Sequence, residues 1–108
     1  MFDHVTIRVS EREASARFYD TVLAALGIEG TGDGGEYLEW GDFSIAQATE
    51  EKPATRGLHV GFVAPSRDGV EEFWRVGTEA GYRDDGAPGP RPQYRADYYG
   101  AFLLDPDS

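Results

Sequence analysis

The sequence predicts an α+β domain made of two similar modules related by a pseudo-twofold, and three observations predict it. Short alternating segments and amphipathic helical segments follow one another in the order strand, helix, strand meander. That order starts again halfway along the chain. A histidine-bearing strand and the helix after it recur at one separation: His4 with His59, Val5 with Val60, Ile7 with Phe62, Phe18 with Phe73 and Tyr19 with Trp74 are each 55 residues apart. Matches in two consecutive elements at a fixed separation indicate an internal duplication. The modules are expected at about residues 1–52 and 53–108 of one 108-residue domain, a length with room for one core.

Each element has its own local reason. In Phe2–Val9, Val5, Ile7 and Val9 alternate with His4, Thr6 and Arg8, the pattern of a strand with one polar face. Ser10, with Glu13 three positions on, reads as a reciprocal capping box, and Ala14, Phe18, Val22 and Ala25 follow at helical spacing up to Gly27. Glu36–Trp40 and Phe43–Ala48 are extended candidates joined by Gly41-Asp42, a favoured two-residue hairpin turn. The second half opens with Gly57–Ala64 as a strand. Ser66 caps the next helix, Val70, Phe73, Gly77 and Ala80 carry its periodicity, and Gly81 ends it. Gly86–Pro92 is rich in Gly and Pro and reads as a loop; Tyr98–Leu104 is a strand, and Asp105–Ser108 a turn. The first module has a hairpin partner at this stage, so one further strand is expected after that turn.

Composition removes several function classes. Twenty acidic against ten basic residues give a net charge of −10, which repels a phosphate backbone and excludes nucleic acid as a partner. Neither a membrane-spanning apolar run nor a basic, apolar leader is present, so a soluble, cytoplasmic protein is expected. With no cysteine, any metal must sit on His, Asp, Glu, amide oxygen or water. The run Gly30-Thr31-Gly32-Asp33-Gly34-Gly35 matches the glycine pattern of a dinucleotide loop. It follows a helix, precedes a strand and carries an acid where an anion would sit, so it reads as a turn.

The histidines carry the chemistry. If the two leading strands flank the pseudo-twofold, His4 and His59 approach each other on one concave face, with Thr6 and Gly61 leaving open volume beside them. Two imidazoles and a carboxylate in such a cup would suit a divalent metal. Arg8 shares the His4 face and is placed either to hold a substrate anion or to reach solvent.

Asp3-His4-Val5, the helix Ser10–Leu26, Gly57-Leu58-His59-Val60 and Phe102-Leu103-Leu104-Asp105-Pro106-Asp107 together resemble the vicinal oxygen chelate superfamily, which includes glyoxalase I, extradiol dioxygenases, and fosfomycin- and bleomycin-resistance proteins. The resemblance covers essentially the whole chain. It implies paired βαβββ modules around a cupped mixed sheet, with His4 and His59 as ligands of a divalent ion such as Zn, Ni, Mn or Fe. The family's carboxylate ligand lies on a strand after an Asp-Pro-Asp-Gly turn; Ser108 stands at that glycine, which puts the expected strand and carboxylate beyond it. At the position of a second family carboxylate the sequence offers Gln47, whose amide oxygen is the substitute, while Glu39, Glu50 and Glu51 read as a solvated edge. If Phe102 faces the cup, as its equivalent does in fosfomycin-type relatives, Tyr98 does too, and with Trp40 and Tyr94 they form an aromatic wall. Thr6, Trp40, Gln47, Tyr98 and Phe102 are therefore the expected substrate-binding residues. The implied function is a metal-dependent lyase, isomerase or dioxygenase acting on a small oxygen-rich or aromatic substrate. The alternatives are a metal-free protein that sequesters a cationic or aromatic compound, as bleomycin-resistance relatives do, and a fold with a decayed site. A homodimer is expected, because cupped sheets of this kind bury apolar edges against a second copy.

Overall fold

The computed structural model describes residues 1–107 and is α+β. The first module runs β1 (Val5–Val9), α1 (Arg12–Ala24), β2 (Gly32–Asp33), β3 (Tyr37–Trp40) and β4 (Phe43–Gln47). Its sheet has the order β1-β4-β3-β2, with β4 parallel to β1 and antiparallel to β3. The β3–β4 hairpin closes over Gly41-Asp42 with Trp40 opposite Phe43, and Gly41 takes the positive φ of 63° that such a turn demands. Central placement explains the composition of β4: Phe43, Ser44, Ile45 and Ala46 are all buried. Beneath the sheet, Phe18, Tyr19, Val22 and Leu23 of α1 pack on Ile7, Val9 and Ile45, and each large aliphatic chain buried there contributes about 1.5–3 kcal/mol.

The second module comprises α2 (Arg67–Glu79), β5 (Arg83–Pro90) and β6 (Tyr99–Leu104), the two strands forming a separate antiparallel pair. Ser66 caps α2 as expected, its Oγ accepting from the Gly69 N–H at 3.2 Å. The helices α1 and α2 lie against each other where Gly77 keeps α2 slim: a Cβ there would stand 3.3 Å from Val22 Cγ1 and would collide with Leu103 Cδ1. Phe18 and Tyr82 close this seam edge to face, with centroids 4.8 Å apart.

Three expectations are corrected. Gly57–Ala64 is not a strand of either sheet: it alternates as a strand should but has no ladder partner among the described residues, whose strands form a four-stranded mixed sheet and a two-stranded pair. The run Gly86–Pro92 is mostly strand, since β5 pairs with β6 through two register shifts that accommodate its glycines and prolines. The Ser10 capping box does not form. Glu11 is the N-cap and makes no side-chain cap bond, while the Ser10 N–H instead donates to Asp107 Oδ2 at 3.1 Å.

Candidate functional site

Two hollows border the sheets, and each contains one of the two histidines. The first, about 480 Å³, opens on the outer face of the first sheet and is lined by Asp3, His4, Thr6, Tyr37, Glu39, Gly41, Asp42 and Ser44. Strand alternation sets this lining: Thr6 is opposite Ser44 in the parallel ladder, and their hydroxyls share a hydrogen bond of 2.7 Å. His4 Nδ1 lies 2.9 Å from Asp3 Oδ1, an arrangement that puts the proton on Nδ1 and leaves Nε2 as an acceptor. Glu39, read from the sequence as a solvated edge residue, borders this hollow with Asp3 and Asp42. Among the described residues no lysine or arginine lines it, so its field is negative.

The second hollow is a groove of about 540 Å³ between residues 57–64 and β6. His59 sits on one bank, its ring 5.9 Å from that of Phe102 on the other. Phe102 also lies under the Arg91 guanidinium at 5.3 Å, and Tyr98 is held between Tyr94 at 5.0 Å and Arg95 at 5.1 Å. Tyr98 and Phe102 therefore share one wall, as expected from sequence, but with His59 and not with His4.

Two other expected site residues serve the fold. Trp40 is a core residue, 4% exposed, with its indole N–H donated to Asp20 Oδ1 at 2.9 Å, so it is not on a pocket wall. Gln47 spends both ends of its amide on the start of α1: Oε1 accepts from the Arg12 N–H at 3.0 Å, and Nε2 donates to the Ser10 carbonyl at 2.7 Å. It replaces the missing capping box from across the fold. Arg8 is likewise engaged, donating to Glu36 Oε1 and to the Gln47 carbonyl, both at 3.3 Å. Tyr19 ties α1 to the end of β6 through its hydroxyl, which donates to Asp105 Oδ2 at 2.6 Å. Burial above all, and then this carboxylate, push the phenol well above its ordinary range.

Comparison with known proteins gives this arrangement its family. The model of the Glyoxalase/Bleomycin resistance protein/Dioxygenase superfamily matches residues 1–108. The chain belongs to this superfamily. A glyoxalase/bleomycin resistance protein from Albidiferax ferrireducens T118 superimposes with a TM-score of 0.85 at 33% identity, covering 99% of this chain and 92% of that one. A Bacillus halodurans structure provisionally named a glyoxalase gives 0.68 at 23% identity, with coverages of 99% and 89%. A hypothetical protein from S. aureus gives 0.64 at 17%, with coverages of 99% and 88%. These last two likenesses are of fold alone. No curated protein matches the chain.

The superfamily implies a divalent metal between the histidines, and the described residues do not bring a shell for it together. His4 and His59 line different hollows, and among the described residues no three His, Asp or Glu side chains gather closely enough to hold an ion. The carboxylates of Asp3, Glu39 and Asp42 line the hollow that holds His4. No helix among the described residues is long and apolar enough to cross a membrane.

Proposed function

We propose that this superfamily member binds a small aromatic cation in the hollow around His4, Thr6 and Ser44. The observation that carries this reading is the lining itself. Asp3, Glu39 and Asp42 line the hollow with a hydroxyl pair, the Tyr37 ring and His4, and the described lining includes no lysine or arginine. A delocalised cation would be attracted by the carboxylates, each worth about 1 kcal/mol at contact in water and more where solvent is displaced, while its flat face stacks on tyrosine. The hollow also falls within the range of roughly 300–1,000 Å³ usual for small-molecule sites. Calorimetric titration with N-methylquinolinium is the test. Saturable binding that Glu39→Gln weakens by about an order of magnitude supports the proposal; no binding, or equal binding of neutral quinoline and the cation, contradicts it.

A second reading, the metal-dependent lyase, isomerase or dioxygenase, is favoured by one observation. With Nδ1 against Asp3, the Nε2 of His4 is presented as a ligand. Its missing partner would be His59 of a second copy, so this reading requires a homodimer with the site between subunits. Elemental analysis of metal-loaded protein separates the two readings: a stoichiometric divalent ion, lost in both His4→Ala and His59→Ala, favours the enzyme, and the absence of any such ion favours the binding protein.

A further inference from the structure

We propose that Thr31, which stands outside the His4 hollow, sets the hollow's preference for positive charge by fixing the turn that carries Asp42. The inference rests on the reading of that hollow as a small-molecule site. It also gives a task to the glycine run Gly30–Gly35, whose pattern matched a phosphate-binding loop but whose place in the fold, between α1 and β3, serves the first sheet.

Asp42 needs such a device because of its neighbour. Gly41 and Asp42 form the tip of the β3–β4 hairpin, beyond the closing pair Trp40 and Phe43. Gly41, at a φ of 63°, has no Cβ and a wide range of allowed backbone angles, so the tip does not hold the Asp42 carboxylate by itself. Ties from three sides remove that freedom: Trp40 is anchored to Asp20 in the core, the Asp42 carbonyl accepts from the Val5 N–H at 2.8 Å, and the Gly41 N–H donates to Thr31 Oγ1 at 3.0 Å. The Val5 bond sets the tip beside His4, the preceding residue. The Thr31 bond is the one that a side-chain exchange can remove without opening the core, because Thr31 is exposed.

Thr31 reaches Gly41 because its own backbone is held. Its N–H donates to the Glu39 carbonyl at 2.8 Å, just beyond the ladder in which Gly32 lies opposite Glu39. Thr31 thus grips the hairpin on both sides of Trp40, at Glu39 and at Gly41. The glycines around it keep the approach clear: a Cβ at Gly30 would stand 3.8 Å from the Glu39 carbonyl and from the Trp40 indole nitrogen, and one at Gly32 would stand 3.4 Å from Glu39 Oε1. Glu39 and Asp42 both line the hollow, and among the described residues neither forms a salt bridge, so their charge is left for a ligand. Attraction between a carboxylate and a bound cation falls with distance and with the water between them, so a tip free to swing would leave Asp42 to the solvent. A neutral ligand of the same shape does not feel that difference. Thr31 is therefore a positioning residue for charge recognition and touches no ligand itself.

The test is calorimetric titration of the parent, Thr31→Val and Thr31→Ser with N-methylquinolinium and with neutral quinoline, each protein checked by urea unfolding. Thr31→Val keeps the shape and loses the acceptor, whereas Thr31→Ser keeps the acceptor; Thr31→Ala takes the place of the valine variant if that one fails to fold. Thr31→Val is expected to bind N-methylquinolinium about fivefold more weakly, the equivalent of one ordinary hydrogen bond. Thr31→Ser should bind it like the parent, and any quinoline binding should be the same in all three. A double-mutant cycle then identifies the group through which Thr31 acts: in an Asp42→Asn background the change at Thr31 should no longer matter. Equal N-methylquinolinium affinity in the parent and Thr31→Val would overturn the inference and leave the site reading standing. So would a loss that quinoline shares, or one that persists in full in Asp42→Asn. Failure of the parent itself to bind N-methylquinolinium would overturn the site reading and this inference with it.

Discussion

Replacing Gln47 by Ala separates a structural amide from a ligand-binding one. Its Oε1 accepts from the Arg12 N–H, one of the first donors of α1 left without a partner inside the helix, and its Nε2 holds the Ser10 carbonyl in the turn that enters the helix. Loss of a helix cap of this kind costs about 1 kcal/mol. The second bond, also exposed to solvent, adds a fraction of that, because water replaces the lost partner. Gln47→Ala is therefore expected to destabilise the fold by about 1–1.5 kcal/mol, a fall of about 5–10 °C in Tm for a domain of this length. Gln47→Glu keeps the acceptor, places a negative charge at the positive end of the helix and loses only the donor, so it should melt close to the parent. Urea and thermal denaturation measure the stability, and titration with N-methylquinolinium measures the site. An alanine variant that melts like the parent, or one that loses the probe while keeping its Tm, would refute the capping role.

Tyr19→Phe removes the hydroxyl that reaches Asp105 while keeping the ring among Phe18, Trp40 and Phe43; a loss of about 1–2 kcal/mol in urea unfolding is expected, and unchanged stability would mean the tie between α1 and β6 carries nothing. The Asp84 carboxyl is held below its ordinary range, first by the Trp74 indole N–H and then by the Gly86 N–H. Its contribution is present above the unfolded-state pKa and is lost as pH falls through the lower folded value. The urea midpoints of the parent and Asp84→Ala should thus differ near neutrality and converge as the pH is lowered below the usual aspartate range; a gap that stays constant on acidification would disprove the linkage. Trp40→Phe should destabilise without altering probe affinity, since the indole faces Asp20 in the core; weakened probe binding at unchanged stability would return it to the site.

The sequence was most legible where local chemistry and tertiary structure agree. Alternation in β1, the Gly41-Asp42 turn and the Ser66 cap are decided within a few residues, and nothing distant opposes them. Where a distant group competes, local reading failed: Ser10 has a capping signature, yet Gln47, 37 residues away in sequence, takes over the helix start. β5 was missed because glycine and proline lower strand propensity, while pairing to β6 with irregular register overrides it. Gly57–Ala64 shows the converse, since alternation states which face would be buried but not whether a neighbour exists to pair with it. The candidate site was half legible. Strand parity put Thr6 on an open face and the family resemblance put Phe102 and Tyr98 on a hollow's wall, whereas Trp40, opposite Phe43 at the hairpin end, turned into the core. Glu39 went unread as a site residue because its approach to His4 comes from the order of strands in the sheet rather than from spacing in the chain.

The central claim, that the hollow around His4 is the small-molecule site, is tested most directly by backbone amide NMR during titration with N-methylquinolinium. Shifts that saturate together and concentrate at Asp3–Thr6, Tyr37–Glu39 and Asp42–Ser44, with loss of the response in Glu39→Gln, are the expected result. Shifts confined to Leu58–Ala64 and Tyr98–Leu104, or scattered without saturation, would contradict it.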